Sequence, residues 1–275
     1  MPKTHRGGQA AQPPAPPPPQ PPPPPQPPQP PQQRKTPAQL WQEARKNGTI
    51  DMSQEGYTLD DIRQMNDQDM HDMLLAISKQ EVPDYLMENQ QQKFVYALNA
   101  NAMPTVEPEA TFKKNSKGQT IIYNAQNSVN LKGFSLTADD IHDWLRYGDE
   151  TLQQNGVYGN GIYFSDSRSG SASYGSRQAK ARLNPATARV VDYSQLKSEY
   201  DSWIKTRPQT RKALGYMKAQ NKGYGTNTYS QFAMLKGYNV ISSKVGFNET
   251  YYSVLDRSAL IYSDEIRNSR GNNTW

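Results

Sequence analysis

The chain has 275 residues, no cysteine, three histidines and a formal net charge of +5. The lack of cysteine excludes disulfides and thiolate metal sites, and His5, His71 and His142 have no ligand-like spacing, so no metal is expected. No apolar run approaches the ~18–20 residues that span a bilayer, and the polar, proline-rich start does not read as a signal peptide, so neither a membrane partner nor secretion is expected.

Fifteen of the nineteen residues from Pro13 to Pro31 are proline. Such a run cannot form helix or sheet ladders and should extend as polyproline II, at about 3.1 Å per residue. It reads as a spacer or as a docking segment for a proline-binding groove. Residues 1–35 are therefore expected to be a disordered tail.

Residues 36–110 read as a helical module. Leu40, Trp41 and Ala44 share one face of a first short helix. Thr58 and Asp61 form a capping box that opens a second. Met70, Met73, Leu74 and Ile77 recur at spacings of three and four, which predicts an amphipathic helix. Pro83 starts a longer helix through Leu86, Phe94, Val95 and Leu98. A methionine stripe of this kind reads as core or helix-docking surface rather than a cofactor box. His71 beside it reads as a surface residue.

Residues 111–275 mix short strands with helices. A strand is expected over residues 119–127 (QTIIYNAQN). A helix follows at TADDIHDWLRYG, capped by Thr137 with Asp140 and stopped at Gly148. Strands IYF and ARVVDY, basic helices, and a helix ending at Gly237 before strand YNVIS come next. Two strands, TYYSVL and SALIY, flank an Asp256-Arg257 turn. Without a regular βαβ repeat, this pattern predicts an α+β fold rather than a doubly wound sheet.

The stretch YGNGIYFSDSRSGSASYG, Tyr158 to Gly175, packs four glycines, three tyrosines and five serines into eighteen residues. Glycine lets backbone approach a ligand where a Cβ would block it, and tyrosine rings with nearby hydroxyls suit a flat hydrogen-bonding ring such as nicotinamide or a base. The same composition fits a Gly/Ser-rich surface loop after an edge strand. Glu249, at the head of TYYSVL, reads on its own as a solvated charge.

In order, these residues resemble the NAD-binding signature of the ADP-ribosyltransferase superfamily. Gly159, Gly161, Ile162, Tyr163 and Phe164, followed by Ser171, Ala172 and Tyr174, match the pattern of its poly(ADP-ribose) polymerase branch. Ser165, Asp166 and Ser167 stand where the cholera-toxin-like branch carries Ser-Thr-Ser. Phe247-Asn248-Glu249-Thr250-Tyr251 is similar to the setting of the catalytic glutamate. The resemblance implies a split β-sheet domain over residues 111–275 with NAD as substrate and no metal. It further implies that Glu249 is catalytic, that Tyr163 and Tyr174 sandwich nicotinamide, and that Ser171 binds its carboxamide. Gly161, Ser165, Ser167 and Asn124 would complete the cofactor side. At Asn124 the superfamily carries arginine or histidine; an asparagine amide can donate to a ribose hydroxyl but cannot clamp a phosphate bidentately. Phe247 occupies the position that is acidic or glutamine in arginine-modifying members, which argues against that acceptor.

The segment YTLDDIRQMNDQDMHDMLLAIS, with QQKFVYALN, is similar to the helical leader of transferase domains in bacteriophage minor capsid-type proteins. The expectation is a phage-encoded mono-ADP-ribosyltransferase, virion-associated or acting in the bacterial host cytoplasm. Its partners would be a host acceptor, protein or alternatively nucleic acid, and virion components. Two alternatives are an inactive structural protein of the same fold and an NAD glycohydrolase. Charge adds a further pointer. Residues 36–110 carry 13 acids and 5 bases, whereas 168–222 carry 12 bases against Asp192, Glu199 and Asp201. The basic face could receive the acidic module, attract phosphates of NAD or nucleic acid with Tyr200, Trp203 and Tyr216 stacking on bases, or simply be solvated.

Overall fold

The computed structural model describes residues 34–52, 55–82, 93–94, 97–98, 103–112, 120–126, 157–158, 161–173, 177–220, 228–246 and 248–268. The proline-rich tail, the TADDIHDWLRYG helix, Gly159, Tyr174, Phe247 and most of the helix expected from Pro83 lie outside the described residues.

The first helices begin where the capping chemistry places them. Helix α1 (Pro37–Asn47) starts with a Thr36/Gln39 capping box and proline in the first turn, and ends at Gly48 in the left-handed region (φ 77°). Helix α2 (Leu59–Arg63) uses the Thr58/Asp61 box, and α3 (Asp67–Ser78) is capped by Asn66. Leu40, Ala44, Met70, Met73, Leu74 and Ile77 are all buried. Their i, i+3 and i, i+4 spacing puts them on inward faces, each contributing about 1.5–3 kcal/mol for a fully buried large apolar side chain.

These helices share one hydrophobic core with α5 (Tyr193–Lys205), α6 (Pro208–Gln220) and α7 (Thr228–Lys236). The acidic module thus rests on the basic helices. Asp67 is decisive there. Its carboxylate accepts from the backbone N–H groups of Gln209 and Thr210, both at 2.9 Å, and from the Thr210 hydroxyl at 2.8 Å. The first residue of α3 therefore satisfies the open donors at the start of α6. Arg207 Nη1 returns a bond to the Met65 carbonyl, and Arg63 Nε donates to the Leu235 carbonyl.

The strands form one mixed eight-stranded sheet in the order β1-β8-β4-β2-β3-β7-β6-β5. They are β1 (Thr105–Glu107), β2 (Ile122–Gln126), β3 (Ile162–Ser165), β4 (Arg177–Leu183), β5 (Val190–Asp192), β6 (Val240–Val245), β7 (Glu249–Val254) and β8 (Leu260–Asn268). The edge pairs β1–β8 and β5–β6 are parallel, and the rest are antiparallel. With seven α-helices among the described residues, including the short α4 (Arg168–Ala172), the fold is α+β. Strands β2 and β3 meet at a single pair, Tyr123 with Ser165.

Alternation divides the sheet's faces. Ile122, Ile162, Phe164, Val240, Val254, Leu260 and Tyr262 belong to one cluster. Val191 and Ile241, alternate to Val190 and Val240, join the helical core on the other face. At the β1 side, buried Arg182 pairs with Glu107 and stacks 4.6 Å from the Phe112 ring centroid, and Lys180 pairs with Glu109.

Candidate functional site

Strands β3 and β7 bring the glycine-tyrosine segment to the glutamate. Their register pairs Tyr163 with Ser253 and Ser165 with Tyr251. Since Phe164 and Val254 face the sheet's apolar cluster, Tyr163, Ser165, Glu249, Tyr251 and Ser253 share the opposite face. Close approach depends on Gly161: a Cβ there would lie 2.4 Å from the Val254 carbonyl oxygen and 2.8 Å from Ser253 Oγ.

At the head of β7, the Ser165 hydroxyl donates to Glu249 Oε1 at 2.5 Å and accepts from the Ser167 N–H at 2.9 Å. Asp166 locks the same corner. Its carboxylate accepts from the Thr250 N–H at 2.8 Å, and its own N–H donates to the Thr250 carbonyl at 3.1 Å. Ser167 then caps α4, accepting from the Gly170 N–H at 3.0 Å. Helix α4 lies so close to Glu249 that a Cβ on Gly170 would fall 1.7 Å from Oε1. The result is a half-buried carboxylate with one oxygen oriented by a hydroxyl. Among the described residues, Oε2 has no hydrogen-bond partner.

The other expected site residues separate into distinct settings. Tyr163 is on the same face as Glu249. Its phenol oxygen accepts from the Tyr158 N–H at 3.0 Å, and burial pushes its pKa up to about 12, so it stays a neutral hydroxyl. Tyr158 packs edge-on to Tyr193, with ring centroids 5.2 Å apart, and Tyr193 continues to Tyr229 and Tyr200. Ser171 is buried and turned to β4 rather than β7. Its hydroxyl donates to the Arg168 carbonyl at 3.2 Å and accepts from Gln178 Nε2. The Gln178 amide also holds Arg168, by its carbonyl at 2.8 Å and its Nε at 3.2 Å. Asn124 enters β2 opposite Ala179, and its neighbour Tyr123 is the β2 residue in register with Ser165.

One expectation is corrected here. Tyr200 and Trp203 do not offer free rings for stacking on bases. Both pack against Phe232, at 5.4 and 4.9 Å between centroids, because their face of α5 meets α7. Tyr216 alone of the three is exposed.

Gly170 and Gln178 help build the site, and reading the sequence gave neither a role. Gly170 carried a usable signal, since glycine within a helix costs about 1 kcal/mol and commonly has a packing reason. Asp166 and Tyr251 were read only as parts of the motifs, and the Asp166 contact with Thr250 was not legible because the two lie 84 residues apart.

Among the described residues, no cluster of three or more His, Cys, Asp or Glu side chains is arranged to hold a metal ion, and no helix is long and apolar enough to cross a membrane. Comparison of the chain with protein-family models, curated proteins and solved structures gave no significant match.

Proposed function

We propose that the protein is an NAD-dependent mono-ADP-ribosyltransferase that modifies a host macromolecule, a protein in the first instance, and that it is phage-encoded and virion-associated. The observation that carries this reading is the Ser165–Glu249 pair beneath Gly170, with Tyr163 on the same face. In such a reaction the bond between nicotinamide and the ribose anomeric carbon breaks, nicotinamide leaves neutral, and an acceptor nucleophile takes the ADP-ribosyl group while losing its proton. Positive charge develops on the ribose as the leaving group departs, as in glycoside cleavage. A carboxylate fixed by Ser165, with Oε2 directed to a ribose hydroxyl, stabilises that charge without reorganising. Gly170 removes side-chain bulk at this corner, and the neutral Tyr163 phenol lies on the same face of the sheet. Asn124 and Ser165 would support the ribose side, with Gly161 and Ser167 also in the cofactor-binding segment. For Ser171 to bind the carboxamide, its hydroxyl would have to exchange the Gln178 contact for the ligand.

Incubating the protein with labelled NAD and host lysate, beside Glu249→Gln, tests the proposal. Label on a protein band that disappears in the variant is the expected result. Free ADP-ribose without labelled macromolecule would assign a glycohydrolase instead. No turnover by either form would favour an inactive structural descendant, a reading to which the uncharged Asn124 lends weight.

A further inference from the structure

A cavity of about 430 Å3 opens between α1, α3 and α6, and nothing in the proposed NAD chemistry uses it. Its floor is apolar and fully formed, with Ala44, Leu75 and Ala213 all buried. Two rings flank the floor, half-buried Trp41 and exposed Tyr216. Around the mouth stand Arg45, Lys79 and Lys212, and no carboxylate is among the described residues that line it. The Arg45 guanidinium lies 5.8 Å from the Trp41 ring centroid, and Lys212 Nζ donates to Gln209 Oε1 at 3.2 Å. The neighbouring acid, Asp72, is held 2.8 Å from His71 Nδ1.

An apolar floor flanked by aromatic rings suits a flat base, and cations at the mouth suit the phosphates on either side of it. A single nucleotide carries its phosphates on one side of its base, whereas Arg45, Lys79 and Lys212 come from three separate helices around the cleft. We therefore propose that this cleft binds single-stranded nucleic acid, with a base inserted beside Tyr216 and Trp41 and the flanking phosphates on Arg45, Lys79 and Lys212. The site is separate from Glu249 and does not depend on NAD turnover.

The test is fluorescence anisotropy of the full chain with labelled 20-nucleotide dT and rU strands and a matched duplex, over a series of salt concentrations. Single strands should bind more tightly than the duplex. The triple variant R45E/K79E/K212E should weaken binding at least roughly a hundredfold and flatten the log–log salt dependence by about 2, since each neutralised phosphate of a single strand contributes about 0.7 to that slope. Tyr216→Ala should weaken binding roughly tenfold at unchanged slope, as loss of one stacked base does. Tyr216→Ala and Lys212→Glu alter exposed residues singly and keep the test decisive if the triple variant unfolds. Equal binding of duplex and single strands, or an unchanged affinity in both single variants, would overturn the proposal. Displacement of the oligonucleotide by poly-glutamate as effectively as by unlabelled strand would assign the cleft to an acidic protein segment and overturn it equally.

Discussion

The helical layer and the Glu249 corner are built on opposite principles. In the helical layer, Leu40, Met70, Met73, Leu74 and Ile77 act through buried area, with many neighbours sharing each load. At the corner, a few polar atoms and the missing Cβ of Gly170 define the geometry, and the partners lie 84 residues apart. The first arrangement tolerates changes of detail but not of volume. The second tolerates little change in shape, yet contributes little to stability. The difference predicts that stability and activity can be damaged separately.

The largest effect should come from Leu74→Ala, which opens a void in the fully buried helical core. It should destabilise the protein by about 2–5 kcal/mol in urea unfolding. Any activity that survives below the transition should keep its kcat, and a fall in kcat there would contradict the separation. Glu249→Gln is the converse case. Turnover should fall on the order of 10²–10³-fold with the urea midpoint nearly unchanged.

Two glycines at opposite ends of the β3–β7 pair sharpen the contrast. At Gly161 the added methyl meets backbone, the Val254 carbonyl, so Gly161→Ala should lower stability as strand β3 is pushed from β7. At Gly170 the methyl meets the end of a flexible side chain, so Gly170→Ala should leave the fold intact and displace the Glu249 carboxylate. Thermal unfolding beside a turnover assay separates them: the first should lower the Tm, the second should lower kcat. Equal Tm losses would show that the corner has no room to adjust.

The smallest effect belongs to Asp67→Ala, at about 1 kcal/mol for a lost helix cap. Burial raises the Asp67 pKa, but the N–H groups of Thr210 and Gln209 outweigh it and lower it overall. A depressed carboxylate pKa stabilises the fold above the unfolded value, about 3.9, and that stability is lost as pH falls through the folded one. The difference between wild type and Asp67→Ala should therefore be constant at neutral pH, begin to shrink near pH 4 and vanish only below the lowered folded value. A difference that persisted in acid would show that packing, not charge, carries the contact.

How much was legible follows the same division. The capping box at Thr58 and the stripe at Met70, Met73, Leu74 and Ile77 are local codes: α2 starts, and α1 and α3 face, as the spacing predicts, while the equally local box at Thr36 was not singled out. The strands at Ile162–Ser165 and Glu249–Val254 were likewise visible from β-branched and aromatic residues between turn signals. The site was legible in its chemistry but not in its contacts. Ser165 and Glu249 stood out as residue types, whereas the turn of Ser171 toward Gln178 and the contact of Gly170 with Glu249 did not. That Tyr200 and Trp203 pack on Phe232 was not legible, because composition offers their rings without saying what covers them.

Sequence alone thus determined the start of α2 and the positions of strands such as β3 and β7, though not β1, β4 or α4, together with which faces are apolar, that the module of residues 36–110 is acidic while residues 168–222 are basic, and that thiolate metal sites are excluded. Those properties depend on residues within a few positions of one another, where backbone preference, capping and alternation act directly. Tertiary structure decided that Asp67 caps α6, that Asp166 holds the first turn of β7, that Trp41 and Tyr216 flank one cleft, and that a serine hydroxyl orients Glu249. These contacts join residues far apart in the chain, and closing such long loops is repaid only when the whole core forms around them.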